Sequence, residues 1–329
     1  MSTWDASGFD DVLEWLARKE RLLVISHERP DGDAYGSVFG MVNLLSETGR
    51  KCDGYMQRPV PRRYELFLPR IPSMLSCNDG VDVGQYDGVI CLDTTDIERA
   101  AIPADWNTLP RSICNIDHHP DNKGYGEAVW LAPEMGATAQ MLSIMVRQAF
   151  DVDAVTATCF LAGILADTGA LRFSNTTSSV LRECATLMDM GADYAGIVDA
   201  MFFHEEYGRK KLEAHLLTNA RTAHNHRLMY SVLRPEDFER YSVSPEDTEG
   251  LIDCLRTIDG VEVACLLQPG DDAVRFSFRS CSRQKPVNEV ARKLNGGGHP
   301  LAAGARVEGV SLEEAEEKLI ALTRDLIES

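Results

Sequence analysis

The sequence predicts an α/β protein in two parts: a parallel-sheet first domain joined by a helical connector to a smaller α/β C-terminal domain. Three observations carry this. Strand-like and helix-like runs alternate through the first half, as expected for a parallel sheet with crossover helices. Three of the strand-like runs end on carboxylate or imidazole groups. Leu22–Ile25 leads into Ser26-His27-Glu28-Arg29-Pro30-Asp31-Gly32-Asp33, Gly88–Leu92 into Asp93, and Ile113–Ile116 into Asp117-His118-His119. After Gly191 the pattern shifts to charged helices and then to strands. At 329 residues the chain also exceeds the length at which one core usually splits into two.

Each element has its own signal. Residues 9–19 carry apolar groups at helical spacing. The strand to Ile25 follows, then a helix from about Ala34 to Leu45, and Cys52–Met56 as a second strand. The Pro-rich stretch Arg58–Arg63 reads as a loop. Two strands end at Asp93 and Asp117, and residues 137–149 and 155–166 read as buried helices, the second leading to Asp167-Thr168-Gly169. Asn175-Thr176-Thr177-Ser178 caps a further helix beginning near Ser179. Residues 193–223 read as charged helices. Leu228–Val232, Val261–Leu267 and Val274–Phe278 read as strands, the last two as a hairpin around Pro269-Gly270-Asp271-Asp272. An amphipathic helix spans Leu312 to Ile327. The domain expectation is 1–190, a connector over 191–223, and 224–329.

Composition excludes several classes. The longest apolar stretch, Cys159 to Ala166, is far too short to span a bilayer. Met1-Ser2-Thr3-Trp4-Asp5 is polar and acidic, unlike a signal peptide. Nine cysteines without a CxxC pair fit small buried hydrophobes in a reducing compartment, so a cytoplasmic location is expected. A formal charge of −18 argues against general duplex binding. Between Arg275 and Arg306, however, seven basic residues face one acid, Glu289, which suits a local site for a small phosphorylated substrate.

The strand-end residues suit a two-metal site. Carboxylates bind hard divalent cations and imidazole suits manganese, iron or zinc. His27, Asp31, Asp33, Asp93, His118 and Asp167 offer six ligands, four of them carboxylates. Gathered without metal, those four would repel and raise one another's pKa values. Two divalent ions balance them. Singly, each residue has a structural explanation: Asp31 as a helix cap, Asp167 as a helix-end residue, Asp117 as a hydrogen-bond partner of a histidine. The recurrence after three strands carries the claim. Gly32 and Gly36 are read as leaving the backbone free to approach a ligand. Arg279-Ser280 at a strand end offers a guanidinium fork and a hydroxyl, and Gly296-Gly297-Gly298 offers backbone N–H groups, for phosphate. Asn288 suits either phosphate or a helix cap.

His27-x-x-x-Asp31-x-Asp33, Asp93, Asp117-His118-His119 and Asp167 resemble the ordered motifs of the DHH phosphoesterase superfamily. Gly296-Gly297-Gly298-His299-Pro300 with Ala302-Ala303-Gly304 resembles the signature of its associated C-terminal substrate domain. The compact length is most similar to the bacterial nanoRNase / pAp phosphatase group. The resemblance implies two ions, usually manganese. His27 and Asp31 would hold one, Asp33, His118 and Asp167 the other, with Asp93 bridging and His119 contacting the scissile phosphate. It implies direct hydrolysis of short single-stranded RNA, linear dinucleotides and pAp. Substrate would enter a cleft between domains, its terminal phosphate held by Arg279, Ser280, Asn288, Gly296, Gly297, Gly298 and His299. It also implies a homodimer. Two alternatives stay open: a cyclic-dinucleotide phosphodiesterase or exopolyphosphatase-type hydrolase, and an inactive nucleotide-binding module.

Overall fold

The computed structural model describes residues 7–56, 59–65, 71, 73–75, 80–102, 112–203, 206–244, 248 and 250–328. Residues 1–5 of the polar N-terminus and Arg58 of the Pro-rich loop lie outside this set. The chain divides into two compact units, Met1–His204 and Glu205–Ser329.

The first unit runs α1 (Ser7–Ala17), β1 (Arg21–Ile25), α2 (Gly32–Glu47), β2 (Lys51–Tyr55), α3 (Arg62–Glu65), β3 (Met74–Leu75), β4 (Gly88–Leu92), β5 (Ile113–Asp117) and β6 (Ala128–Leu131). It continues with α4 (Thr138–Val146), α5 (Ala154–Asp167), α6 (Ser178–Asp189), α7 (Tyr194–Val198) and a π-helical turn, Asp199–Phe203. Its six strands pair in the order β3-β2-β1-β4-β5-β6, all parallel. Both faces are covered, so the strands read as continuous apolar runs. Leu22 and Val24 enter the core shared with α1, α2, α4 and α5, while Leu23 and Ile25 enter a smaller core with Tyr55, Tyr86 and Val89. The strand order reverses between β1 and β4, which makes the crevice beyond their carboxyl ends the switch point of the sheet.

Helices α2 and α5 pack against each other through glycine. A Cβ on Gly36 would lie 2.6 Å from Cys159 O and Gly163 N, and one on Gly32 2.2 Å from Ala166 Cβ. The expected close approach at these glycines is therefore made to α5. It brings the start of α2, with Asp31 and Asp33, beside the end of α5, with Asp167.

The second unit runs α8 (Tyr207–Thr218), β7 (Arg221–Ala223), β8 (Leu228–Val232), α9 (Pro235–Tyr241), α10 (Asp253–Arg256), β9 (Val263–Pro269) and β10 (Ala273–Ser280). It ends with α11 (Val287–Lys293), β11 (Gly297–His299), β12 (Ala302–Glu308) and α12 (Leu312–Glu328). The sheet order is β11-β12-β10-β9-β8-β7, with β8 and β9 parallel and the other pairs antiparallel. The expected hairpin closes as Gly270 N–H donates to Ala273 O at 2.8 Å. One face, with Val274, Phe276 and Phe278, packs on α11 and α12. The opposite face of β8 and β9 is covered by a second core that includes Leu212, Leu216, Leu255 and Leu266.

Candidate metal centre and phosphate face

The six candidate ligands gather at the switch point. His27 follows β1 and Asp93 follows β4; His118 follows β5 and Asp167 ends α5. Asp31 caps α2, its Oδ1 accepting from Asp33 N–H at 3.1 Å and Ala34 N–H at 3.2 Å. Asp33, one residue into α2, is 1% exposed. Donor atoms of His27, Asp31 and Asp93 lie within 4.8 Å of one another, and so do those of Asp33, His118 and Asp167.

Asp93 stands between the two groups. Its Oδ2 lies 3.8 Å from His27 Nε2 and its Oδ1 3.7 Å from His118 Nε2. His118 Nε2 is also 3.8 Å from Asp33 Oδ2 and 3.7 Å from Asp167 Oδ2. These gaps are too long for hydrogen bonds. They are close to the spacing of about 3–3.5 Å between neighbouring ligands that each sit about 2.1 Å from one cation. Asp93 has φ +56°, a left-handed backbone that Asp tolerates better than most residues. Its N–H is anchored to Ile116 O at 3.0 Å.

Electrostatics agree with a cation site. Burial, then the charge of Asp31, pushes Asp33 up to about 7. Burial and Asp33 hold Asp93 well above the usual carboxylate range. Burial, then the neighbouring His119, lowers His118 to about 4, and burial lowers His27. Neutral imidazoles and crowded carboxylates are the states a divalent ion requires and relieves. His118 pairs its Nδ1 with Met135 O at 3.2 Å, which directs Nε2 toward the carboxylates. The donor set fits two hard or borderline divalent ions.

Asp117 and His119 form a pair beside this set, with His119 Nδ1 3.4 Å from Asp93 Oδ1. His119 Nδ1 donates to Asp117 Oδ1 at 2.7 Å, and Asn122 Nδ2 donates to Asp117 Oδ2 at 2.7 Å. Burial opposes the charge on both groups. Even so, His119 and Asn122 hold Asp117 below its ordinary value, and Asp117 with Asp93 and Asp167 raises His119 to about 10.

In the second unit the structure brings some expected residues together and separates others. Register pairs Arg279 with Ala302 and Ala302 with His299, so Arg279 and His299 share one face across β10, β12 and β11. Small residues floor that face, with Ser277 opposite Gly304 and Gly304 opposite Gly297. Ser280 points to the other face, fully buried, and its hydroxyl donates to Ser282 O at 2.9 Å. Asn288 is 6% exposed on α11, and its Oδ1 has no hydrogen-bond partner among the described residues. The glycine run is an edge strand: a Cβ on Gly296 would lie 2.1 Å from Gly304 O, and one on Gly298 2.6 Å from Ala302 O. Gly298 also has φ +124°. Its glycines let β11 lie close on β12.

Sequence reasoning missed the groups that orient the ligands: Met135, Thr138, Ala139, Asn122 and Asn175. The available signal was Gly136-Ala137-Thr138, a helix start with no capping side chain at Ala137.

Comparison with known proteins agrees with this architecture. The bifunctional oligoribonuclease and PAP phosphatase NrnA of Thermus thermophilus is 31% identical over 306 residues, covering 92% of this chain and 89% of that protein. The protein of that name from Bacillus subtilis is 27% identical over 319 residues, covering 94% and 96%. An exopolyphosphatase-related protein from Bacteroides fragilis shares the fold at a TM-score of 0.87 and 21% identity, covering 100% of both chains. Exonuclease RecJ bound to manganese shares it at a TM-score of 0.53 and 14% identity, covering 97% of this chain and 94% of that one. Residues 21–164 match the DHH family, N-terminal domain, residues 225–329 match the DHHA1 domain, and the chain belongs to the DHH family.

Proposed function

We propose that this protein is a two-metal phosphodiesterase that hydrolyses short oligoribonucleotides and linear dinucleotides to mononucleotides, and pAp to AMP. The observation that carries the reading is the placement of Asp93, whose two oxygens face two separate donor groups. The relatives named for oligoribonuclease and PAP phosphatase activity, which match this chain over most of its length, support the substrate class.

His27 and Asp31 would hold one ion, Asp33, His118 and Asp167 the other, and Asp93 both; the mixed carboxylate–imidazole set suits manganese, iron or zinc, and manganese is the ion the family resemblance implies. Two such ions supply activation of a water and stabilisation of charge developing on a phosphoryl group. The chain's own groups do the rest. His119, whose Nδ1–H is engaged by Asp117, would turn its Nε2 to the scissile phosphate rather than to a metal ion. Arg279 and His299 on the small-residue face would bind a terminal phosphate, Arg279 through its guanidinium fork. Asn288 on α11 would bind a phosphate oxygen only by donating from its Nδ2 amide. Ser280 would support that face from beneath, and the glycine run, an edge strand, would offer backbone N–H groups to the phosphate.

A substrate panel with manganese tests the reading: pApA, RNAs of graded length, cyclic dinucleotides, pAp and polyphosphate, with products separated by chromatography. The expected result is rapid release of mononucleotides from pApA and of AMP from pAp. Preference for cyclic dinucleotides or polyphosphate would overturn the substrate assignment. Inactivity on every member with two ions bound would favour a binding module.

A further inference from the structure

None of residues 135–139 belongs to the donor set, yet this one segment touches three members of it directly and a fourth, Asp167, through Asn175. Met135 O pairs with His118 Nδ1 at 3.2 Å. Gly136 O accepts from Asn175 Nδ2 at 2.9 Å, and the same amide nitrogen reaches Asp167 Oδ2 at 3.2 Å. The N–H groups of Thr138 and Ala139 donate to Asp33 Oδ2 and Oδ1 at 2.6 and 2.9 Å. The Thr138 hydroxyl donates to Asp93 Oδ1 at 3.0 Å.

We propose that Thr138 is a positioning residue that sets the ion site of Asp33, His118 and Asp167 in register with the shared carboxylate of Asp93. The inference rests on the two-ion reading above. Two features of the geometry argue for it. The first amides of a helix have no intrahelical partner, and Ala137 offers no capping side chain to α4. Asp33, from a different helix, takes that place through both of its oxygens. Holding α4 and holding Asp33 are thus one arrangement. In addition, Thr138 is the only residue of the segment that contacts two of the donors directly, and it is fully buried, so its hydroxyl has no exchange with water to replace the Asp93 contact.

The hydroxyl acts on one side of Asp93. Oδ1 is the oxygen facing His118, whereas Oδ2 faces His27. A carboxylate oxygen has two lone-pair sites, so Oδ1 can accept from Thr138 and still coordinate a cation. Without the hydroxyl, Asp93 Oδ1 loses its 3.0 Å hydrogen bond and keeps the longer 3.4 Å approach of His119 Nδ1, so the site on the His118 side loses its shared ligand before the site on the His27 side does. Partners of this kind typically matter 10–100-fold for metal affinity.

The test is manganese titration calorimetry on the metal-stripped full chain, comparing the parent with Thr138→Val and Thr138→Ser. T138V keeps the shape and the N–H to Asp33 and removes only the hydroxyl; T138S keeps the hydroxyl. The expected result for T138V is one binding step weakened about 10–100-fold, the other unchanged, and a metal-stripped melting temperature close to the parent's. T138S should restore the affected step. Should T138V disturb α4, Thr138→Ala serves as the second deletion against the same T138S reference. Two unchanged steps, two equally weakened steps, or failure of T138S to restore affinity would overturn the assignment. A parent that takes up no manganese would overturn the two-ion reading itself, a result distinct from a two-ion parent beside an unaffected T138V.

Discussion

Replacing Asp93 with Asn is the sharpest perturbation of the site. Asn keeps the shape of the side chain and tolerates the left-handed backbone at φ +56°; Ala would add backbone strain to the lost ligand. Turned either way, the amide puts an N–H donor where one oxygen faced His27 or where the other faced His118 and Thr138. Groups that merely orient a ligand affect metal affinity about 10–100-fold. Asp93 would serve both ions directly, so the loss is at least about 10² at each. Together this is about 10⁴ in kcat/KM, or about 5.5 kcal/mol. The metal-stripped protein should respond oppositely. Burial and Asp33 hold the Asp93 carboxyl well above its usual range, so removing that group relieves repulsion and raises the melting temperature. The assay pairs steady-state kinetics under a manganese titration with metal analysis and thermal melts of the stripped protein. Activity within about tenfold of the parent, with two ions still bound, would refute the bridging role.

Three further outcomes are expected. In the stripped protein His119 sits at about 10, above its ordinary 6.5, because Asp117 outweighs its burial. Its contribution is present below about pH 6.5 and is lost as pH rises toward 10, so metal-free stability should fall between about pH 7 and 9; Asp33, raised to about 7, acts in the same direction at lower pH. A stripped protein that melts higher at pH 9 than at 7 would contradict this. Gly36→Ala should destabilise the fold, since the added Cβ meets backbone of α5 at 2.6 Å; denaturant melts should show a packing cost of about 1–3 kcal/mol that exceeds the gain of about 1 kcal/mol in helix propensity. Arg279→Ala should raise KM about 10–100-fold for substrates ending in phosphate, as expected for loss of a charged hydrogen bond, with metal content unchanged; loss of metal would show that Arg279 is misplaced.

The candidate site was legible because the three strands that deliver it are buried on both faces. Each therefore reads as an apolar run, and a polar residue at its end stands out: His27 after Ile25, Asp93 after Leu92, Asp117 at the end of β5. The weaker strands carry no such contrast. Ala128–Leu131 is four residues long, β11 is Gly-Gly-His and β12 opens Ala-Ala-Gly-Ala, stretches that lack the β-branched signal of a strand. The glycine run therefore reads as a loop, whereas it is an edge strand whose glycines allow close packing on β12. Ser280 could have been read correctly: neighbours in a strand point to opposite faces, so Arg279 and Ser280 cannot grip one phosphate from the same strand. Thr138 was illegible because its role lies in contacts to residues far away in sequence, Asp33 and Asp93.

The donors that orient the carboxylates share one property: they are neutral. Asp31 is held by the first amides of α2, Asp33 by the first amides of α4 and by Ser37, Asp93 by the Thr138 hydroxyl and Asp167 by the Asn175 amide. A lysine or arginine would hold a carboxylate at least as firmly. It would also neutralise that carboxylate and so weaken its claim on a cation. Amides and hydroxyls fix the direction of each oxygen while leaving its charge uncompensated, and the helix amides add only a partial positive charge. The raised pKa values of Asp33 and Asp93 follow from that choice. Burial that keeps His27 and His118 neutral makes the same crevice hostile to four clustered carboxylates. The crevice is thus organised by the fold itself, and a bound cation would relieve its electrostatic strain.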